Sequence, residues 1–292
     1  MCNFISGIYV MRDEGKYDLL CDPSVSNSHT ALEKHYNLKE RHDHKYVKWE
    51  FTPPSDSKKV GDAEEWQFVL DEMRRPEWFN VDREYDCIES IKSLVTRWIV
   101  SDKRDNLTGG FWILVDGADI RVFDSGYVVM YGGRIETIAS NAYVGKMLGS
   151  SQVGEMRGSS RVGKMRGSSQ VGEMWGSSRV GEMGDSSRVD EMLGSSRVDK
   201  MWVSSQVGVM WDSSQVGEMW DSSRVDKMGD SSQVVAFNNA VIVPQDNAVV
   251  IHRQEEGPVR VVCANREVMA RTDHFPAVAM NPPLSRNQEQ GK

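Results

Sequence analysis

The chain has 292 residues, of which 39% are hydrophobic and 27% charged, with a net charge of −8. It is long enough for a sizeable core, and no apolar run reaches the ~20 residues that cross a bilayer. The four cysteines, Cys2, Cys21, Cys87 and Cys263, are scattered and form no CxxC pair, which excludes a zinc knuckle or disulfide framework and predicts reduced thiols.

No basic region followed by an apolar stretch and a small-residue cleavage site opens the chain, so a cytoplasmic location is expected. The charge is uneven. Residues 144–233 hold 11 Lys/Arg against 12 Asp/Glu, and the segment after them holds six of each, so residues 1–143 carry −7. Without a basic stripe to neutralise phosphates, nucleic-acid binding is not expected.

Residues 1–110 predict an α/β domain. Phe4–Val10 and Tyr17–Cys21 are short apolar runs around Arg12-Asp-Glu-Gly15, the pattern of a hairpin. Ser28 is placed to cap a helix running to about Asn37, with Leu32 and Tyr36 four apart. Tyr46–Phe51 alternates as a strand does, and Thr52-Pro53-Pro54 ends it. Trp66–Leu70 predicts a further strand, and Pro76–Phe79 a loop with two aromatics. Asp82–Val100 is the strongest helix, with Ile88, Ile91, Val95, Trp98 and Ile99 on one face. Asp102–Gly110 reads as an exit loop, after which extended structure begins at Phe111.

Residues 111–143 read as decayed, capping copies of the repeat at 144–234. Asp124-Ser-Gly-Tyr-Val128 matches the later Asp-Ser-Ser-Gln-Val, and Ile135 and Ile138 lie nine before Val144 and Met147. From Val144 to Val234 a nonapeptide runs ten times: Val-Gly/Asp-x-Met-x-Gly/Asp-Ser-Ser-Gln/Arg. Gly, Asp and Ser-Ser in every copy argue against a helix, and no heptad permits a coiled coil. A β-branched residue and a methionine in every copy are more than a flexible Gly/Ser linker needs.

A parallel β-solenoid with about two nonapeptides per turn satisfies the pattern. Turns ~4.8 Å apart would make the ten copies about five turns, or ~24 Å. Alternation, with corners at the Gly/Asp after Val and at the Gly/Asp before Ser-Ser, places Val, Met and the second Ser inside, with hydroxyls bonding along their own column, and Glu/Lys, Gln/Arg and the residue after Met outside. That last position reads Leu148, Arg157, Arg166, Trp175, Gly184, Leu193, Trp202, Trp211, Trp220 and Gly229, a variation no packed interior tolerates. Residues 235–275 read as a β cap over the solenoid end, with Phe237 in the methionine's place, and 276–292 as a disordered tail. The expected fold is thus an α+β N-terminal domain followed by an all-β solenoid.

The fragments Asp/Gly-Ser-Ser-Gln-Val and Met-Trp-Asp-Ser-Ser resemble repeat proteins of bacteria and their phages, as do Met1-Cys2-x-Phe4 and the Trp78-Phe79 loop. The resemblance spans most of the chain and implies a phage–host setting, but it brings no activity to carry over. The repeats are more loosely similar to pentapeptide-repeat β-helices, some of which inhibit topoisomerases by imitating DNA. Their period is five, so no residue transfers, and the near-neutral array departs from a charge mimic.

Few residues suggest chemistry. Cys2, if freed of Met1, would have its own α-amino group as base, as in N-terminal-nucleophile hydrolases and amidotransferases. Asn3-Phe4 replaces the glycine those families place beside it. His42-Asp43-His44, near His29 and His35, has the spacing at which two imidazoles converge on a strand face, although Lys39–Lys48 is heavily charged, as a solvated loop is. Paired Ser columns resemble the hydroxyl ladders of ice-binding solenoids, and calcium-roll nonapeptides need Gly-Gly-x-Gly-x-Asp, which is absent. Trp175, Trp202, Trp211 and Trp220 form an outward aromatic strip suited to a partner, with Trp202 and Trp220 stacked on one face and Trp211 on the other. The expectation is a non-catalytic scaffold or binding protein without cofactor or membrane contact. It would present its repeat surface and acidic front domain to a protein partner, with self-association of the stem open. The alternatives are a nucleic-acid-mimicking inhibitor and an enzyme using Cys2.

Overall fold

The structure, a computed structural model, describes residues 5–12, 15–38, 45–139, 141–237, 240–245 and 247–253, and the backbone of strands at 260–263 and 266–269. A small α+β region leads into a parallel β-solenoid of about eight turns. The front sheet is antiparallel and comprises β1 (Ile5–Met11), β2 (Tyr17–Leu20), β3 (Tyr46–Thr52) and β4 (Gln67–Leu70), in the order β2-β1-β3-β4. Two helices flank it, α1 (His29–His35) and α2 (Val81–Trp98).

The alternation in β3 sends Val47, Trp49 and Phe51 into the core. On α2, Cys87, Ile91 and Val95 are buried at steps of four, and the Asn80 side chain accepts from Arg83 N at 3.0 Å to cap the first turn. Ser28 occupies the N-cap position of α1 but makes no side-chain cap.

Helix α2 passes directly into Ile99–Val100, the first strand of the solenoid, and Asp102–Gly110 is not a plain loop, because Lys103–Leu107 is the second strand. Polar residues suit it, since this edge strand covers the interior with little more than Leu107. Phe111-Trp-Ile-Leu114 is apolar throughout because both its faces are covered. Trp112 and Leu114 face the solenoid interior, while Phe111 and Ile113 join Trp49, Phe51, Phe79, Cys87, Ile91 and Val95 in the front core.

The solenoid is two facing parallel sheets of nine and twelve strands, joined alternately at their corners. Early turns are short: Ile99 pairs with Ile113, and Phe111 with Tyr127. In the array each residue pairs with its equivalent eighteen positions on, as in Val144 with Val162 and Met147 with Met165. Part of the change has a local cause. Val128 and Met130 point inward two residues apart, whereas Val144 and Met147 are three apart. The extra residue enters as a bulge between Val144 and Lys146. The reverse occurs at the far end, where Ala236, not Phe237, pairs with Met219. Phe237 therefore does not take the methionine's place; it falls outward, onto the column after Met. The chain continues through Val241–Pro244 and Val249–Arg253, and the twelve-stranded sheet ends with Arg260–Cys263 and Arg266–Met269, both antiparallel.

The inward set is Val, Met and the second Ser of every copy, with the array's valines, methionines and those serines all buried. Methionine fills the narrow interior because its side chain adapts to irregular space. The serines depart from expectation. Nine hydroxyls, from Ser151 to Ser223, have no hydrogen-bond partner, and Ser232 Oγ instead donates to the Gly229 carbonyl at 2.7 Å. Residues one turn apart are ~4.8 Å apart, beyond the ~3 Å of a hydroxyl bond, so a column cannot bond along itself. The first serine of each pair is exposed and the second buried, so the two do not share the flat surface an ice-binding ladder needs.

The Gly/Asp after Val is not a corner: it lies mid-strand, as in Gln152–Met156, so each copy turns once, on the residue before Ser-Ser, which has positive φ in every copy. Gly149, Gly158, Gly167, Gly176 and Gly194 adopt it without cost, and Asp185, Asp212, Asp221 and Asp230 adopt it with a compensating bond. The Asp185 carboxylate accepts from Gly167 N at 2.8 Å and that of Asp212 from Gly194 N at 2.8 Å, each one turn back. Val203, at φ 60°, has no such compensation, and a β-branched residue there costs ~1–3 kcal/mol. Val203→Gly is expected to stabilise the chain by about 1 kcal/mol, net of glycine's greater freedom when unfolded, read as a higher urea midpoint. A lower midpoint would contradict strain at this corner. Ser187→Ala, which removes an unpaired hydroxyl, should be neutral or stabilising by up to about 1 kcal/mol, whereas Ser232→Ala should cost about 1 kcal/mol. Equal losses at both would show that all the hydroxyls are bonded.

Candidate functional sites

The residue after Met begins each corner, so its side chains stand on the two narrow edges of the flattened solenoid. One edge carries Leu148, Arg166, Gly184, Trp202, Trp220 and Phe237. Trp202 and Trp220 stack at 5.6 Å with planes 10° apart, and Trp220 stacks on Phe237 at 4.0 Å and 3°. The bulge that drops Phe237 out of the methionine column thus completes an aromatic stack. The ring faces cover one another, with Phe237 buried and Trp202 and Trp220 half-buried. A side chain at Gly184 would collide with the Arg166 guanidinium, which lies across that glycine on the Trp202 side. Lys200 sits over the Trp202 ring at 6.0 Å and pairs with Glu218 at 3.2 Å. Beside them Val203 is 47% exposed. Arg166, Glu182, Lys200, Trp202, Val203 and Asp221 line a shallow depression of about 460 Å³.

The opposite edge carries Arg157, Trp175, Leu193, Trp211 and Gly229. Trp175 is 44% exposed and its Nε1 donates to Glu173 at 2.7 Å. Trp211 lies beneath Lys227, whose ammonium is 4.6 Å from the ring centroid in the space Gly229 leaves free. The four tryptophans therefore occupy two edges: Trp202 and Trp220 together, Trp175 and Trp211 on the other side.

The charged columns interlock. Lys164 pairs with Glu182 at 2.6 Å one turn on, and Arg179 with Asp199 at 2.6 Å. Arg188 and Arg224 each bond the aspartate two residues along their own strand. Glu155, Glu173 and Glu191 follow one another on the nine-stranded sheet, but Val209 and Lys227 end that run.

A second concavity, of about 470 Å³, lies where the front region meets the solenoid, lined by Ile5, Trp66, Phe111, Tyr127, Tyr131 and Tyr143 among others. Burial raises the Tyr131 phenol to about 12 and Tyr127 in the same direction. These rings are neutral near pH 7 and pack as apolar groups.

Cys2, His42 and His44 lie outside the described residues. Cys21 and Cys87 are free thiols, and burial pushes both far above the ordinary thiol range, which removes them as nucleophiles. Sequence spacing did not bring forward one group of three. His29 at the start of α1, Glu50 on β3 and Asp71 just after β4 place a nitrogen and two carboxylate oxygens within 4.8 Å of one another. Burial, then the Asp71 charge, raises Glu50 above its usual carboxylate range, while His29 works in the opposite sense.

No helix among the described residues is long and apolar enough to cross a membrane. No protein-family model, curated protein or solved structure matches this chain.

The two edges separate ring stacking from exposure. Trp220→Ala, which breaks two ring contacts, is expected to cost roughly 1–3 kcal/mol in unfolding free energy, and Trp175→Ala less than about 1 kcal/mol. Denaturant titration checks this, and a larger loss at Trp175 would contradict the arrangement.

Proposed function

We propose that the chain is a non-catalytic solenoid scaffold that presents an aromatic edge to a protein partner. The supporting observation is the Trp202–Val203 corner. There an exposed apolar side chain is held in a costly backbone conformation, beside a half-buried tryptophan that ends the ring stack. Nothing in the packing requires valine there, since nine other copies turn the same corner with Gly or Asp. A rigid aromatic flanked by Arg166 and Lys200 has the composition of an interface anchor, and Trp175 supplies a second on the other edge. The acidic front domain gives the same molecule a differently charged end. Likeness to repeat proteins of bacteria and phages favours a phage–host setting.

Interlocked charges favour this reading over nucleic-acid mimicry, which needs a continuous negative stripe. The surface instead carries opposite-sign pairs between turns, and its run of carboxylates at Glu155, Glu173 and Glu191 stops after three. An intact Met1 and an unreactive Cys2, seen by mass spectrometry and thiol labelling, would remove the remaining enzymatic alternative.

The test uses the full chain as bait beside two variants, Trp175→Ala and Trp202→Ala/Val203→Gly, with cross-linking to map the contact. A bound protein should cross-link near residues 202–203 and lose roughly tenfold or more in affinity in the double variant, the size expected of a central anchor. Equal retention by both variants, each shown folded by circular dichroism, would move the partner to the front domain and overturn the aromatic edge.

A further inference from the structure

The front region contains a side-chain arrangement unrelated to the repeat. His29 Nε2 lies 3.0 Å from the Trp49 carbonyl oxygen. A carbonyl only accepts, so Nε2 carries the hydrogen. The other nitrogen, Nδ1, is 2.9 Å from Asp71 Oδ2, with a Glu50 carboxylate oxygen in the same group. In the neutral ring Nδ1 therefore directs a lone pair at an oxygen that is itself an acceptor. Contact at that distance requires a positive species between them, either a proton or a metal ion.

Three features fit a metal ion. An imidazole that ligates through one nitrogen and donates from the other to a backbone carbonyl is the arrangement that fixes the tautomer and orients the ring toward a metal. The 2.9 Å separation, which is also that of an imidazolium N–H···O bond, equals the edge that two adjacent ligands span around a six-coordinate ion with bonds of about 2.1 Å. The donors also come from three separate segments, the start of α1, β3 and the end of β4, with the His29 side chain only 12% exposed and Asp71 open to solvent. An ion could enter from the Asp71 side and keep water on its remaining positions.

We propose that His29, Glu50 and Asp71 form a three-ligand site for a divalent first-row transition metal ion. One imidazole with two carboxylates at a six-coordinate edge suits Mn²⁺ first and Zn²⁺, which prefers a tetrahedral set, second; Ca²⁺ and Mg²⁺ prefer oxygen alone. Because α1 has only seven residues and no side-chain cap, the ion would tie its first residue to the edge of the front sheet. The role is structural, and it stands apart from the aromatic edges of the solenoid.

Full-length protein stripped with a chelator is titrated with Zn²⁺ and, separately, Mn²⁺ by calorimetry. Co²⁺ is added in parallel to report coordination through its visible absorption. One ion per chain and a raised melting temperature are expected. Affinity should fall on the order of 100-fold or more in His29→Ala and in the isosteric pair Glu50→Gln/Asp71→Asn. A His42→Asn/His44→Asn variant should bind as the parent does. The isosteric pair, checked by circular dichroism, decides the matter if His29→Ala fails to fold. Absence of binding to the parent chain, binding unaltered by loss of the carboxylates, or binding lost only with His42 and His44 would each overturn the site.

Discussion

Everything in the array follows from stacking like on like. Once strands pair parallel and in register at a step of eighteen residues, Val meets Val, Met meets Met and each corner meets the same corner. Inside, no position can compensate for its neighbour by being different, so each inward residue must suit a copy of itself about 4.8 Å away. Valine and methionine do so by dispersion contact alone. Serine is small enough to fit but too short to reach the next hydroxyl, which leaves nine buried oxygens without partners. A column of tryptophans succeeds because flat rings stack, as Trp202 and Trp220 do.

The same constraint explains the corners and the charges. A left-handed residue is needed at every corner, and Gly supplies it at no steric cost. Asp supplies it while closing a bond to the amide one turn back, so four aspartates act as links between turns. Charged columns of one sign would repel themselves at this spacing. Alternating Lys164, Glu182, Lys200 and Glu218 along one sheet removes that repulsion, and the cross-turn pairs result. Their energies are small individually because the side chains remain partly exposed. Val203 is the one corner that obeys neither solution, and it sits beside Trp202.

The solenoid and the front region are joined by strands with two apolar faces. Phe111 and Ile113 contribute to the front core while Trp112 and Leu114 contribute to the interior, so one short strand holds both bodies. Helix α2 runs into the ladder without a linker, which makes the acidic front and the neutral stem one continuous structure. At the other end the strand Gln233–Phe237 loses one inward residue, and a single bulge moves Phe237 from the interior to the edge stack.

Much of this was legible in the order of residues. A nine-residue period with Val and Met invariant and the position after Met free to hold Arg, Trp or Gly separates inside from outside by itself. Interior space admits one size, whereas solvent admits any. The hairpin, the stripe on α2, the opposition of Trp202/Trp220 to Trp211 and the parallel coil all follow from local spacing. Tertiary structure decided what local spacing does not encode. The strand at Lys103–Leu107 forms because a neighbouring turn offers it hydrogen-bond partners, although its residues resemble a loop. Phe237 is placed by a bulge, and the serine hydroxyls stay unpaired because of a distance between turns. The meeting of His29, Glu50 and Asp71 depends on how a helix start and two strands are folded against each other, and contacts between such distant residues leave no period along the chain.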